Sequence, residues 1–350
     1  MSGSNVYVAV ARTFGRPDAP GAVGLFRRPT DGGDWRHVIQ DVEALSILVH
    51  PADPDIVYAG TTEGVWRSTD RGASFQPAAS PDGRRQIWSL LASGADPDRL
   101  YAGASPIGVY RSDDRGESWR LLPDPGIAER CAGPFKPRVM RLAQHPERPD
   151  EIYAAMEIAG AMRTTDGGES WQDLSDHLVE LSTLPHLSSR IVQDVSDAEG
   201  MLDGHAITIS PADPDSPIIA LRMGLFRTRD GGTTWQDMEM GRFSPTTYAR
   251  DVKVSPHDPN TLYAALSVAA ASHDGGVYRS RDAGETWSRF DKVQVHGTIM
   301  SVGLHTGDPD QVYVAARYQG EVFGTRDGGA TWDAISLPGP VQDIYAVAAG

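Results

Sequence analysis

Apolar residues in this chain come in short runs that alternate with tight, glycine-rich turns. Leu45–Val49, Ile87–Leu91, Val139–Ala143, Ala206–Ile209, Val252–Val254 and Ile299–Leu304 each read as a short buried strand. After a turn comes a second strand, Pro54-Asp55-Ile56-Val57-Tyr58-Ala59, with copies ending at Tyr101, Tyr153, Tyr263 and Tyr313. Ile218 holds the tyrosine's place in a weaker copy. A third strand follows in Gly64–Arg67, Gly108–Arg111, Gly224–Arg227 and Gly276–Arg279, then another tight turn and a fourth strand. Four short antiparallel strands in a unit of roughly 40–65 residues predict a propeller blade.

The turn between the third and fourth strands carries the strongest repeat. It reads Asp, any residue, Gly, any residue, Ser or Thr, aromatic. The copies are Asp70 to Phe75, Asp114 to Trp119, Asp166 to Trp171, Asp230 to Trp235, Asp282 to Trp287 and Asp327 to Trp332, and a degenerate copy one residue shorter runs from Asp31 to Trp35. Six of the eight tryptophans hold this one position. Asp suits a turn because its carboxylate accepts backbone N–H groups, and Gly supplies the positive φ. The aromatic then buries against the blade.

The two ends complete each other. Asn5–Val10 reads as a second strand with no inner strand before it, and Val341–Ala349 as a lone inner strand. Paired, they close the ring without leaving an open sheet edge. The chain therefore predicts an all-β fold: one seven-bladed β-propeller domain over 1–350, its four-stranded antiparallel first blade completed by 341–350.

The turn resembles the BNR or Asp-box repeat of sialidases, sortilin-type receptors, xyloglucanases and the photosystem II assembly factor, and the likeness runs over nearly the whole chain. It implies the propeller fold strongly and function weakly, because these turns are structural and such a fold hosts unrelated activities. A sialidase would cast Arg85, Arg138 and Arg250 as an arginine triad and Tyr345 as nucleophile. It would also bring six blades and an Arg-Ile-Pro motif, and the sequence has neither. Xyloglucanases use two tandem propellers, where this sequence holds one.

Charge and composition narrow the partners. The formal net charge is −15 and the isoelectric point about 5.0, which argues against nucleic acid and against an anionic membrane surface. No apolar stretch approaches the length of a membrane span. The single cysteine, Cys131, allows no intrachain disulfide, and no basic segment leads into a long apolar one at the start. The expectation is a cytoplasmic protein.

Loop lengths point to one face. If each inner strand runs from a top face downwards, the aspartate turns lie at the bottom. The long connections 120–138 and 172–204, and the extensions Arg12–Val23 and Ser267–Gly275, then all lie at the top, where a ligand site is expected. In the longest insertion, Leu174–Leu181 suits a short helix opened by Ser175 or Asp176. It reads as a lid over the channel or as cover for an apolar patch.

Registering the blades on the tyrosine anchor gathers Glu43, Arg85 with Trp88, Arg138 with Arg141, Asp203 with His205, Tyr248 with Arg250 and Asp251, His296 with Met300, and Asp343 with Tyr345. Arginines and histidines thus collect at one mouth of an acidic protein. They suit a small anionic or polar ligand, or else ion pairs that hold blades together. His205, Asp203 and Tyr345 are the catalytic candidates, for hydrolase or lyase chemistry. Arg85, Arg138, Arg250, His296, Glu43 and Asp343 are the substrate-binding candidates. His205 with His296 and Asp203 or Asp343 could also ligate a metal, but no HExxH, paired Cys or His-x-His occurs, so no cofactor is named. His50, His145 and His305 read as bottom-face turn residues. The alternative is a non-catalytic scaffold for a protein partner, which should show aromatic anchors on its loops; the insertion 172–204 has none.

Overall fold

The computed structural model describes residues 3–13, 18–79, 85–131, 135–188, 197–317, 320–335 and 337–350. Seven four-stranded antiparallel sheets form a ring. Blade 1 is closed from both ends of the chain: Asp343–Ala349 is its inner strand, followed outwards by Asn5–Ala11, Gly24–Pro29 and Arg36–Ile39. Asn5 and Gly350 exchange backbone hydrogen bonds at 2.9 and 3.0 Å. Blades 2 to 7 begin with the inner strands Ala44–Val49, Gln86–Ala92, Arg138–Gln144, Gly204–Ser210, Tyr248–Val254 and Ile299–Leu304. The predicted apolar runs are these strands, because they are enclosed by neighbouring blades and need no polar face.

The six full aspartate turns repeat one hydrogen-bond set. In the turn of blade 5, Asp230 Oδ1 accepts the Thr234 N–H at 2.9 Å and Oδ2 accepts the Thr234 hydroxyl at 2.6 Å. The buried Thr228 hydroxyl donates to Asp230 Oδ1 and accepts the Gly232 N–H at 2.8 Å. The glycine has positive φ, as expected, and so does the residue before it: Arg71, Arg115 and Ala283 all have φ of 56°. Two successive left-handed residues persist because five side-chain hydrogen bonds fix each turn. Tyrosine anchors tie blades together. Tyr7 and Tyr58 donate to the carbonyls of Arg71 and Arg115 in the next blade's turn, at 2.8 Å each.

Every inner strand also carries a bulge. Its pairing with the second strand skips one residue: Leu45, Trp88, Met140, His205, Arg250, Met300 and Tyr345 in blades 2 to 7 and 1. A bulge re-aims a side chain out of the ladder. Here Leu45, Trp88 and Met140 come from three different blades and pack together with Tyr345 from a fourth, which only the axis of the ring allows.

The longest insertion holds α1 (Asp176–Ser182), α2 (Pro185–Ser188) and α3 (Asp197–Leu202). Ser175 stands at the N-cap of α1, but its hydroxyl turns to the Ala159 carbonyl at 2.9 Å. Leu178, Leu187, Met201 and Leu202 bury among Ile207, Leu221 and Trp235, so the insertion fills the seam between blades 4 and 5. Of the two expected roles, covering an apolar patch is the one these residues perform. Parts of the predicted extensions, 14–17, 132–134 and 189–196, lie outside the described residues.

Candidate functional site

The polar members of the bulge ring, His205 and Arg250, lie in blades 5 and 6, beside Arg138 and Glu157 of blade 4. Arg138 opens the inner strand of blade 4 opposite Glu157, its cross-strand partner, and the two form an ion pair. Arg250 reaches Glu157 from blade 6 at 3.0 Å. From blade 5, Asp203 takes the Arg222 guanidinium at 2.8 Å and His205 Nε2 at 3.2 Å. The other His205 nitrogen, Nδ1, faces the Ala249 carbonyl at 2.7 Å, which fixes the ring's orientation and makes Nδ1 a donor. The Tyr248 hydroxyl lies 3.4 Å from Nε2. Glu199 on α3 reaches the same Arg222 nitrogen at 3.8 Å.

Burial would raise both central carboxyls, but partners reverse it. Arg138 and Arg250 hold Glu157 below the usual range. His205 and Arg222 hold Asp203 well below it. Glu199 goes the other way: burial raises it, Asp203 adds to the rise, and Arg222 only partly offsets this. Burial also raises the Tyr248 phenol.

A buried residue at the site bears backbone strain. Ile158, in the turn after Glu157, has φ of 58°, a conformation costing a β-branched residue about 1–3 kcal/mol. The Asp203 Oδ1 atom is buried with no protein partner. Among the described residues, Glu157, Asp203 and His205 are the set with metal-ligating reach, their ligand atoms within 4.8 Å of one another. Three guanidiniums already neutralise those carboxylates, so a cation would have to displace them.

The sequence candidates divide here. Arg138, Arg250, Asp203 and His205 come together. Glu43 instead pairs with Arg12. Arg85 lies against the Gly108 backbone of its own blade. His296 is exposed and bonds Glu321 at 2.9 Å. Asp343 is buried on Arg317 at 2.9 Å. Tyr345 stands edge-on to Trp88, with ring centroids 5.7 Å apart, and its hydroxyl faces the Arg12 carbonyl at 3.4 Å; burial raises its pKa. Arg138 stacks on Trp88, 3.8 Å from its ring centre, and so joins the polar members of the ring to the apolar ones. His50, His145 and His305 are turn residues: His50 Nε2 meets the Pro97 carbonyl at 2.7 Å, and His145 and His305 accept local N–H groups through Nδ1. Glu157, Arg222 and Glu199 were not anticipated, since they sit on the far ends of second strands and on α3. Counting from Tyr153 along its strand would have placed Glu157 beside Arg138.

Comparison with known proteins finds no matching family model. A xyloglucanase of Paenibacillus sp is 26% identical over 296 residues, covering 73% of this chain and 27% of the relative. A probable oligoxyloglucan-reducing end-specific xyloglucanase of Neosartorya fischeri is 23% identical over 279 residues, covering 69% and 33%. The chain thus spans about a third or less of the length of these curated relatives. Among solved structures, the GH74 enzyme of Niastella koreensis superposes with a TM-score of 0.62 at 16% identity, over 83% of this chain and 45% of that one. YCF48 from Cyanidioschyzon merolae gives 0.58 at 16% identity, over 87% and 88%. In fold this chain is similar to both the GH74 enzyme and YCF48; in sequence it is similar to xyloglucanases and, at 27% identity over 184 residues covering 45% of this chain and 12% of the relative, to a vacuolar protein sorting/targeting protein 10 of Emericella nidulans.

Proposed function

We propose that this propeller is a hydrolase of a polar substrate, with its site at the top of the channel where blades 4, 5 and 6 meet. The observation that carries this is the divergence of Glu199 and Asp203. Both reach the Arg222 guanidinium, yet one carboxyl is raised and the other lowered. Carboxyls pushed apart in this way suit an acid and a base in one site. Glu199 and Arg222 keep side-chain exposures of 15% and 19%, so solvent reaches the acid.

In this reading Glu199 gives its proton to the leaving oxygen as the bond to carbon breaks. Asp203, held ionised, takes a proton from the attacking water, whose oxygen bonds the carbon. His205 and Arg222 orient Asp203. Trp88 and Tyr345 add an aromatic wall of the kind that binds the apolar face of a ligand. Glycosides are the first substrate class to try, because xyloglucanases are among the sequence relatives.

The experiment is reducing-end release from xyloglucan and other glucan oligosaccharides by the wild type, Glu199→Gln and Asp203→Asn. Each variant should lose about a hundredfold or more; Glu199→Gln should keep its melting temperature within a few degrees, while Asp203→Asn, which takes the buried partner from Arg222, should melt lower yet remain folded at the assay temperature. No cleavage by the wild type, or wild-type rates in both variants, would sink the proposal. A second reading, a protein-binding scaffold, draws on a groove of about 790 Å³ between α1–α2 and the outer strand Gln236–Asp237, with Leu184 exposed beside it.

A further inference from the structure

Below the bulge ring the channel opens into a cavity of about 370 Å³, lined by inner strands from all seven blades. Gln144 and Pro256 in its wall place its entrance on the face that carries the aspartate turns. Its charge is the reverse of the protein's. Arg141 and Lys253 both line it, and they share one buried carboxylate, Asp251, at 3.4 and 3.3 Å. Asp251 also accepts the Val302 N–H at 2.9 Å. Two cations thus face one anion. Burial pushes the Lys253 ammonium below its ordinary value, Arg141 pushes the same way, and Asp251 only partly opposes them.

Two donors in this wall reach no protein partner: Arg141 Nε and Ser301 Oγ, both buried atoms. The serine is informative by comparison. Ser46, Ser89 and Ser301 occupy the same place, the residue after the bulge, in blades 2, 3 and 7. Ser46 donates to the Ile87 carbonyl at 3.3 Å and Ser89 to the Val139 carbonyl at 2.9 Å, each on the next blade. Ser301 makes no such bond. Arg141 and Asp251 take this position in blades 4 and 6, and Ala206 and Ala346 take it in blades 5 and 1.

We infer that this lower cavity is a binding site for a small oxyanion that carries a compact apolar body. Arg141 would offer two parallel N–H groups, Lys253 a point charge and Ser301 a hydroxyl, which together suit a carboxylate or a phosphate monoester. The aliphatic wall, with Leu142, Ile207 and Val252 among its members, would take the apolar part, and the volume exceeds what a bare anion needs. This site is independent of the acid–base pair at the top of the channel.

The test is calorimetry on the whole protein with three probes: butyrate, inorganic phosphate and tetramethylammonium as a cation control. Saturable binding of butyrate or phosphate, and none of tetramethylammonium, is the expected result. The stronger of the two anions identifies the headgroup. Lys253→Met and Arg141→Met should each weaken binding tenfold or more, Ser301→Ala several-fold, and Lys253→Arg should keep most of it. Ser301→Ala removes only a hydroxyl, so it reports even where a charge variant fails to fold. Absence of saturable binding by both anions overturns the inference, as does anion binding that Ser301→Ala and Lys253→Met both leave unchanged, or tetramethylammonium binding as well as the anions do.

Discussion

Two rings of residues run round this propeller, each built on one backbone device repeated from blade to blade. In the aspartate turns the side chains repeat with the backbone: Asp70, Asp114, Asp166, Asp230, Asp282 and Asp327 each accept from the Ser or Thr four residues on. In the bulge ring the backbone repeats but the side chains do not, and Leu45, Trp88, Met140, His205, Arg250, Met300 and Tyr345 stand at one level. Where both repeat, the residues solve a folding problem that every blade shares. Where only the backbone repeats, each blade supplies a different group to one shared space, as a binding site requires.

Acid is the broadest way to strain the comparison, because it reaches both rings. Hydrogen bonds from Ser170 and Thr331 lower Asp166 and Asp327 to about 2. A carboxyl lowered by folding lends stability that is complete above its unfolded value of about 4 and fades as pH falls through its folded value. Thermal melts at constant ionic strength should therefore hold steady down to about pH 4 and drop towards pH 2. A flat midpoint over that window would contradict the account.

Single substitutions then separate the rings. Arg250→Met removes one of the two guanidiniums on the buried Glu157 and leaves Arg138 alone on it; a loss of about 3 kcal/mol in urea denaturation is expected, the low end for breaking a buried pair. Thr228→Val keeps its shape but leaves the buried Gly232 N–H without an acceptor; about 1–3 kcal/mol is expected. If the turn substitution proves the more damaging, the ordering of the two rings is wrong. Tyr58→Phe removes one bond to the next blade's turn and should cost only about 1 kcal/mol. A larger loss would mean that the tyrosine anchors, and not the turns, hold neighbouring blades together.

The aspartate turns were legible in the sequence because a repeat exposes itself: each copy needs the same Asp, Gly and hydroxyl in the same order. The bulge ring was half legible. Registering blades on Tyr58 and its counterparts found His205, Arg250 and Tyr345. It also drew in Glu43, Arg85 and His296, which lie before their strands, since a bulge inserts a residue without any signature in the apolar pattern. Glu157, Arg222 and Glu199 stayed hidden for a different reason. They reach the axis from neighbouring strands and from α3, and no inner-strand pattern describes those. The expected surplus of positive charge at the top mouth is therefore largely cancelled on folding, as Arg138, Arg250 and Arg222 meet Glu157 and Asp203.

The central claim is that Glu199 and Asp203, joined through Arg222, are held in opposite protonation preferences. A carbon-13 NMR titration of their carboxyl groups, assigned with Glu199→Gln and Asp203→Asn, tests it most directly. The account predicts that Glu199 titrates above the ordinary glutamate value of about 4.3 and Asp203 well below the ordinary aspartate value of about 3.9. Two carboxyls titrating together near their ordinary values would contradict it.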